Sequence, residues 1–142
     1  MDIHSTTGKT DDFVITVGDS DLSKYFPIEA VVDMHAFARG VSLIENVKCG
    51  ISLEYSNTSS AGKVSAQVRQ FFVNMGLLQG SSRLISQKKY SVYGMLKKSD
   101  CEEEVSLENF VETTFQGEKF VPILAGEEAY GEILCLKARR VE

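Results

Sequence analysis

The sequence lacks an uninterrupted apolar run long enough to span a membrane, and its start, MDIHSTTGKTDDFVITV, lacks a basic region followed by an apolar one. The first absence argues against a transmembrane helix, and the second argues against a secretory signal. Cysteine is scarce as well: Cys49, Cys101 and Cys135 are odd in number, widely spaced and form no C-x-x-C pair. Reduced thiols fit this pattern better than a disulfide framework. We therefore expect a cytoplasmic protein that does not contact membranes.

Proline and histidine are also rare. With two prolines and no repeat or low-complexity tract in 142 residues, nothing marks a linker, so we expect a single domain over 1–142. The two histidines and the scattered cysteines form no zinc pattern. Asp19-Ser20-Asp21 opens like a calcium loop but lacks the glycine and the distal glutamate that such a loop needs. We therefore predict no metal and no other cofactor.

Acidic residues are nearly absent from the middle of the chain. Residues 51–100 hold two acids and seven bases (+5), against eight acids and four bases in 1–50 (−4) and ten acids and four bases in 101–142 (−6). We expect the bases between 63 and 98 to pair mainly with carboxylates of the same assembly, within one fold or between subunits.

The predicted fold class is α+β, with one long helix over 27–48 packed on a mostly antiparallel sheet. Pro27 suits a first helical position, and Lys48 followed by Gly50 suits a helix end. Apolar residues recur between them in steps of four and three: Ala30, Met34, Phe37, Val41 and Ile44. Strands are predicted in the runs DFVITV, ISLEY, KYSVYGMLKK, KFVPIL and GEILCLKA.

Residues 63–79 fit two patterns. A helical stripe covers five positions, whereas a strand-like alternation covers three (Val64, Ala66 and Val68). The longer pattern favours a second helix that ends at Gly80, and the strand remains the alternative. The helical stripe consists of Val64, Val68, Phe71, Met75 and Leu78.

The stretch YSNTSSAGKVSAQV (55–68) resembles a phosphate-binding loop in composition only. A true loop has Gly, four residues, then Gly-Lys and Ser or Thr, but here Asn57 replaces the first Gly and Val64 replaces the hydroxyl residue. A weaker hypothesis survives, because the start of a helix over 63–79 would favour any anion, including a nucleotide phosphate. The residues of this anion site would be Ser60, Gly62, Lys63, Ser65 and Arg69.

His35 and Arg39 lie four residues apart on the predicted long helix, with Asp33 nearby. A catalytic interpretation would make His35 a general base and Arg39 an anion clamp, but no nucleophile is placed by spacing. We therefore predict no catalytic residues and interpret this side of the helix as an interaction face, where Gly40 would permit close helix packing.

The segment RLISQKKYSVYGMLKK (83–98) combines five bases with two tyrosines and no acid. Such a mixture suits a nucleic-acid surface, but the lysine pairs flank the predicted strand instead of alternating with its aromatic residues. We include Lys88, Lys89 and Tyr93 in the interaction face and keep nucleic-acid binding as an alternative.

These observations favour a small non-enzymatic protein of regulatory or inhibitor type. We expect it to act through protein–protein contacts, with itself or with another protein. The alternatives are an anion-binding or nucleotide-binding module at 59–65 and a nucleic-acid-binding protein that uses 83–98.

Overall fold

The structure, a computed structural model, describes residues 1–18, 20–35, 37, 43–101 and 105–141. Within these ranges it contains one α-helix, eight β-strands and short 3-10 turns. The helix is α1 (Ala61–Asn74). The strands are β1 (Asp2–Thr6), β2 (Phe13–Thr16), β3 (Ala30–Asp33), β4 (Ile51–Ser56), β5 (Lys88–Lys97), β6 (Thr113–Phe115), β7 (Glu118–Ile123) and β8 (Ile133–Arg140).

The strands form a mixed sheet in the order β1-β4-β2-β3-β5-β8-β7-β6. Five predicted strands, β2, β4, β5, β7 and β8, are confirmed, and so is an α+β content. The prediction of a mostly antiparallel sheet is wrong, because β1–β4, β2–β3 and β3–β5 are parallel pairs. Turn residues indicate where a strand ends but not which distant strand it joins, and parallel pairs are joined by long crossovers that local patterns do not reveal.

The predicted helix over 27–48 is wrong in the described part of that range. It contains β3, which lies between β2 and β5, and a 3-10 turn at Leu43–Asn46. Val31 and Val32 are β-branched and are buried on opposite faces of the sheet, an arrangement that favours a central strand over a one-sided helix. The helical stripe still identified core residues, since Ala30, Met34 and Ile44 pack in one cluster.

The predicted helix over 63–79 is confirmed as α1, with shifted ends. The Ser60 hydroxyl accepts a hydrogen bond from the Lys63 N–H at 3.2 Å and caps the start. Gly76, at φ +77°, ends the helix four residues before the predicted Gly80. Its N–H donates to the Val73 carbonyl and the Leu77 N–H donates to the Phe72 carbonyl, which is a Schellman motif.

The two faces of β2 belong to different cores. On one face, Val14 and Leu53 pack with Phe71 of α1, whose ring stacks on Phe26 at a centroid distance of 4.3 Å. On the other face, Ile15 packs with residues of β3, β5, β7 and β8, among them Leu136. The helix therefore covers one side of the sheet, and the strands themselves enclose the other.

A polar clasp joins the two ends of the strand order. Thr7 follows β1, and its N–H and hydroxyl both donate to the Glu127 carboxylate, which follows β7; the N–H bond measures 2.8 Å. The Glu128 N–H donates in turn to the Thr7 hydroxyl at 2.9 Å. Since β1 and β7 stand near opposite ends of the order, the sheet curves. Its inner face carries the core that contains Ile15 and Leu136.

Candidate functional site

The residues predicted to bind an anion lie along α1 but do not converge. Lys63 and Arg69 are six residues apart, which separates them by about 9 Å along the axis and about 120° around it. The Lys63 ammonium pairs with the Asp12 carboxylate at 2.6 Å, and the Arg69 guanidinium donates to the Gln79 carbonyl at 3.3 Å. Ser60 caps the helix, while Gly62 and Ser65 are exposed.

Asp12 supplies a carboxylate at the start of α1. Its side chain is 4% exposed and accepts hydrogen bonds from the Ser56 N–H, the Ser59 hydroxyl and the Gln67 amide, in addition to the Lys63 ion pair. Burial by itself raises the pKa of Asp12, but these hydrogen bonds outweigh it and hold the pKa below the usual value. An outside anion would meet this carboxylate beside Lys63.

The residues of the predicted interaction face are spread along the molecule. Lys88 begins β5 and pairs with Glu29, whereas Tyr93 lies five residues further along the strand and donates from its hydroxyl to Glu118 at 2.8 Å. Lys89 is exposed on β5, and His35 is exposed after β3. Arg39 and Gly40 lie outside the described residues. The described members of the predicted face therefore lie at the start and in the middle of β5 and after the neighbouring strand β3.

A different surface combines four exposed aliphatic side chains after α1. We call it the 77–85 surface. Its members and their exposed fractions are Leu77 (64%), Leu78 (47%), Leu84 (61%) and Ile85 (43%). Isolated exposed aliphatic residues are common, but here two pairs of them occur on one short segment, and exposed apolar side chains that occur together mark interaction sites.

Hydrogen bonds from α1 hold the segment that carries this surface. The Asn74 carboxamide accepts from the Arg83 N–H at 2.7 Å and donates to the Arg83 carbonyl at 3.1 Å and to the Tyr25 carbonyl at 2.7 Å. The Gln70 amide donates to the Ser81 carbonyl at 3.0 Å. The aliphatic side chains therefore project from a segment whose backbone is fixed at several points.

The surroundings of the 77–85 surface are basic. Arg83 lies within the segment, Arg69 is bound to its Gln79 carbonyl, and the sequence has no acid between residues 55 and 99. Sequence reasoning missed this surface because Leu78 completed the helical stripe and so looked like a core residue. The pattern LLQGSSRLI, with two aliphatic pairs around a Gly-Ser-Ser turn, is the feature that could have identified it.

The described ranges also bear on metal binding and membrane crossing. Across those ranges, no cluster of three or more His, Cys, Asp or Glu side chains is placed to hold a metal ion. None of the helices in the described part of the chain is long and apolar enough to cross a membrane. Comparison of the chain with protein-family models, curated proteins and solved structures found no match.

Proposed function

We propose that this protein is a binding protein of regulatory type that acts through protein–protein contacts made by the 77–85 surface. The observation that carries the proposal is the exposure of four large aliphatic side chains on a segment held by Asn74 and Gln70. Covering such a side chain contributes about 1–2 kcal/mol to an interface. A fixed backbone reduces the entropy lost on binding, so this surface is preorganised for a partner.

Charge favours a second copy of the chain, bound head to tail, as the partner. A symmetric contact through the 77–85 surface would place Arg69 and Arg83 opposite their own copies, which is unfavourable. A complementary partner instead presents carboxylates around an apolar side chain. The chain itself has such a place, because Val111 is 48% exposed and follows the exposed acid Glu108, while its other acidic neighbour, Glu112, is paired with Lys119.

Light scattering coupled to size-exclusion chromatography tests the proposal. We expect the mass of the wild type to rise with protein concentration and the mass of the Leu77→Asp/Leu84→Asp variant to remain that of a monomer. Val141→Asp is the control, because Val141 is 59% exposed and lies outside this surface. A wild type that stays monomeric at the highest concentrations, or a double variant that associates equally well, would contradict self-association.

A charge exchange tests the head-to-tail orientation. Arg83→Glu and Glu108→Arg should each weaken association alone, and an equimolar mixture of the two variants should recover it. The mixture restores opposite charges only if these two regions meet across the contact. Failure of the mixture to recover the wild-type mass would argue for another orientation.

The two alternative functions stay predictions, and each has a simple test. Inorganic phosphate or a nucleotide at about 100 times its dissociation constant would stabilise the fold by about 2.7 kcal/mol in a thermal-shift assay. Nucleic-acid binding would weaken steeply with salt and would be lost after Lys88→Ala and Lys89→Ala together. Asp12 beside Lys63, and Glu29 beside Lys88, are the reasons why we rank both below protein binding.

A further inference from the structure

A cavity of about 650 Å³ lies against the inner face of the curved sheet and shares no residue with the 77–85 surface. The parallel pairing of β1 with β4 places Asp2 beside Ser52 and His4 beside Glu54. Because alternate residues of a strand share a face, all four side chains lie on the same face, and all four line the cavity.

The remaining walls are mostly apolar. They come from β2, β5 and β8 and from the segments that follow β3 and β7, and they include Ile15, Met34, Phe37, Ile44, Leu124 and Leu136. The volume falls within the range of about 300–1,000 Å³ that is usual for small-molecule sites, which combine apolar walls with a few polar groups. The cavity therefore has the size and the composition of a ligand site.

Glu54 is the polar group that the fold leaves incompletely satisfied. The residue is 9% exposed, and its Oε1 accepts a hydrogen bond from the Ser52 hydroxyl at 2.8 Å. Its Oε2 has no hydrogen-bond donor in the part of the chain that the structure describes. Burial raises the pKa of Glu54, against the opposing effects of the Ser52 hydrogen bond and of His4. Because Glu54 lines the cavity, a ligand inside it can donate a hydrogen bond to this oxygen.

Carboxylates outnumber basic groups around the cavity: Asp2, Glu54 and Glu127 line it with one histidine, His4, whose pKa the hydrogen bond to Asp2 raises. Asp2 accepts from the His4 ring at 2.7 Å, and Glu127 is held by the Thr7 clasp. Burial opposes ionisation of Glu127, but its hydrogen bonds outweigh burial and lower its pKa. Burial and the nearby carboxylates raise the pKa of Tyr130, so its hydroxyl stays neutral at neutral pH. No lysine or arginine of the described chain lines the cavity.

We propose that this cavity binds a small organic cation, an amine on an apolar body, whose N–H group donates to Oε2 of Glu54. The amine supplies the missing donor and a positive charge for a negative site, and its body fills the space between the aliphatic walls. An anion would be repelled by the carboxylates of Asp2 and Glu127, and a bare metal ion would leave the apolar walls uncovered.

Titration calorimetry with phenethylamine and with its neutral counterpart, phenethyl alcohol, tests the proposal. We expect saturable binding of the amine and a dissociation constant at least about tenfold higher for the alcohol, as for loss of one charge-assisted hydrogen bond. Glu54→Gln should weaken amine binding by a similar factor. Glu128→Gln is the matched control, because Glu128 is an exposed acid that does not line the cavity, and it should leave the affinity unchanged.

Several results would overturn the proposal: no saturable amine binding, equal affinity for amine and alcohol, or unchanged amine binding by Glu54→Gln. If Glu54→Gln does not fold, a second variant tests whether the amine binds in the cavity. Ala129 is exposed and lines the cavity, so Ala129→Trp should fill its mouth and abolish amine binding while Glu54 stays in place. Unchanged binding by Ala129→Trp would place the amine elsewhere and would also overturn the proposal.

Discussion

At the scale of single residues, Asp12 is the feature of the predicted anion site that the sequence did not reveal. The start of α1 has a lysine, as the sequence indicated, but the Lys63 N–H donates to the Ser60 hydroxyl, and Asp12 from the end of the 7–12 loop supplies a buried carboxylate there. Its partners lie 44 to 55 residues away in sequence. Spacing along the chain could not have placed it beside Lys63.

Replacing Asp12 with Asn should lower the free energy of unfolding by about 1–3 kcal/mol at neutral pH, because Lys63 loses its buried partner. The lowered pKa means that ionised Asp12 stabilises the fold above the pKa of the unfolded chain. This contribution is lost as the pH falls through the lowered folded-state pKa. Urea unfolding at a series of acidic pH values should therefore show a shallower loss of stability for Asp12→Asn than for the wild type.

Asp11→Asn is the control for this experiment, since Asp11 is the exposed neighbour of Asp12. It should change the free energy of unfolding by less than about 0.5 kcal/mol. Parallel stability–pH curves for the wild type and Asp12→Asn would show that Asp12 does not contribute in the way its contacts indicate.

At the scale of elements, α1 and β3 show what periodicity can and cannot identify. The stripe over 63–79 predicted a helix correctly, because Val64, Val68 and Phe71 face one core. It extended too far, since the Schellman motif at Gly76 ends the helix before Leu78. The stripe over 27–48 was as regular, but its described members come from β3, from the segment after it and from a 3-10 turn, and they reach one core from these different places.

The segment after α1 depends on one side chain, which gives a prediction at this scale. Asn74→Ala removes hydrogen bonds to the Arg83 backbone and to the Tyr25 carbonyl, so we expect a loss of about 1–3 kcal/mol in the free energy of unfolding. The segment should also open more often, and limited digestion with trypsin should cut faster after Arg83, as read by mass spectrometry.

Asn57→Ala is the matched control for the digestion. The Asn57 amide donates a hydrogen bond to the Thr7 carbonyl and lies far from Arg83 in sequence, so its loss should not change the cleavage rate there. Equal rates of cleavage after Arg83 in the wild type and in Asn74→Ala would contradict the role assigned to Asn74. Contacts other than those of Asn74 would then have to hold the backbone of the segment that carries the 77–85 surface.

At the scale of the whole molecule, contacts between distant parts of the chain decide the arrangement. Lys63 pairs with Asp12 and Lys88 pairs with Glu29, so two of the seven bases in residues 51–100 meet carboxylates of the first 50 residues. The clasp of Thr7 and Glu127 joins residues 120 positions apart and brings the two ends of the strand order together. The two ion pairs agree with the expectation that bases of the middle segment pair within the assembly, and the clasp does not bear on it.

Breaking the clasp tests whether it holds the curved sheet. Glu127→Ala leaves the Thr7 N–H and hydroxyl without their acceptor, and hydrogen bonds to a charged group contribute about 1.5–3 kcal/mol each. We expect a comparable fall in the free energy of unfolding and faster hydrogen exchange at the β1 amides that pair with β4. Glu128→Ala should leave both unchanged, and protected β1 amides in Glu127→Ala would contradict the prediction.

The sequence by itself determined the local features of this protein: five strands, the helix at 63–79, the charge segregation and the absence of a complete phosphate loop. These features depend on neighbours within a few residues, where side-chain period, capping and turn chemistry act. The tertiary structure decided which strands pair in parallel, where Asp12 and Glu127 find their donors, and that Glu54 faces a cavity. Those outcomes depend on residues dozens of positions apart, whose meeting is set by the free energy of the whole fold and not by any local pattern.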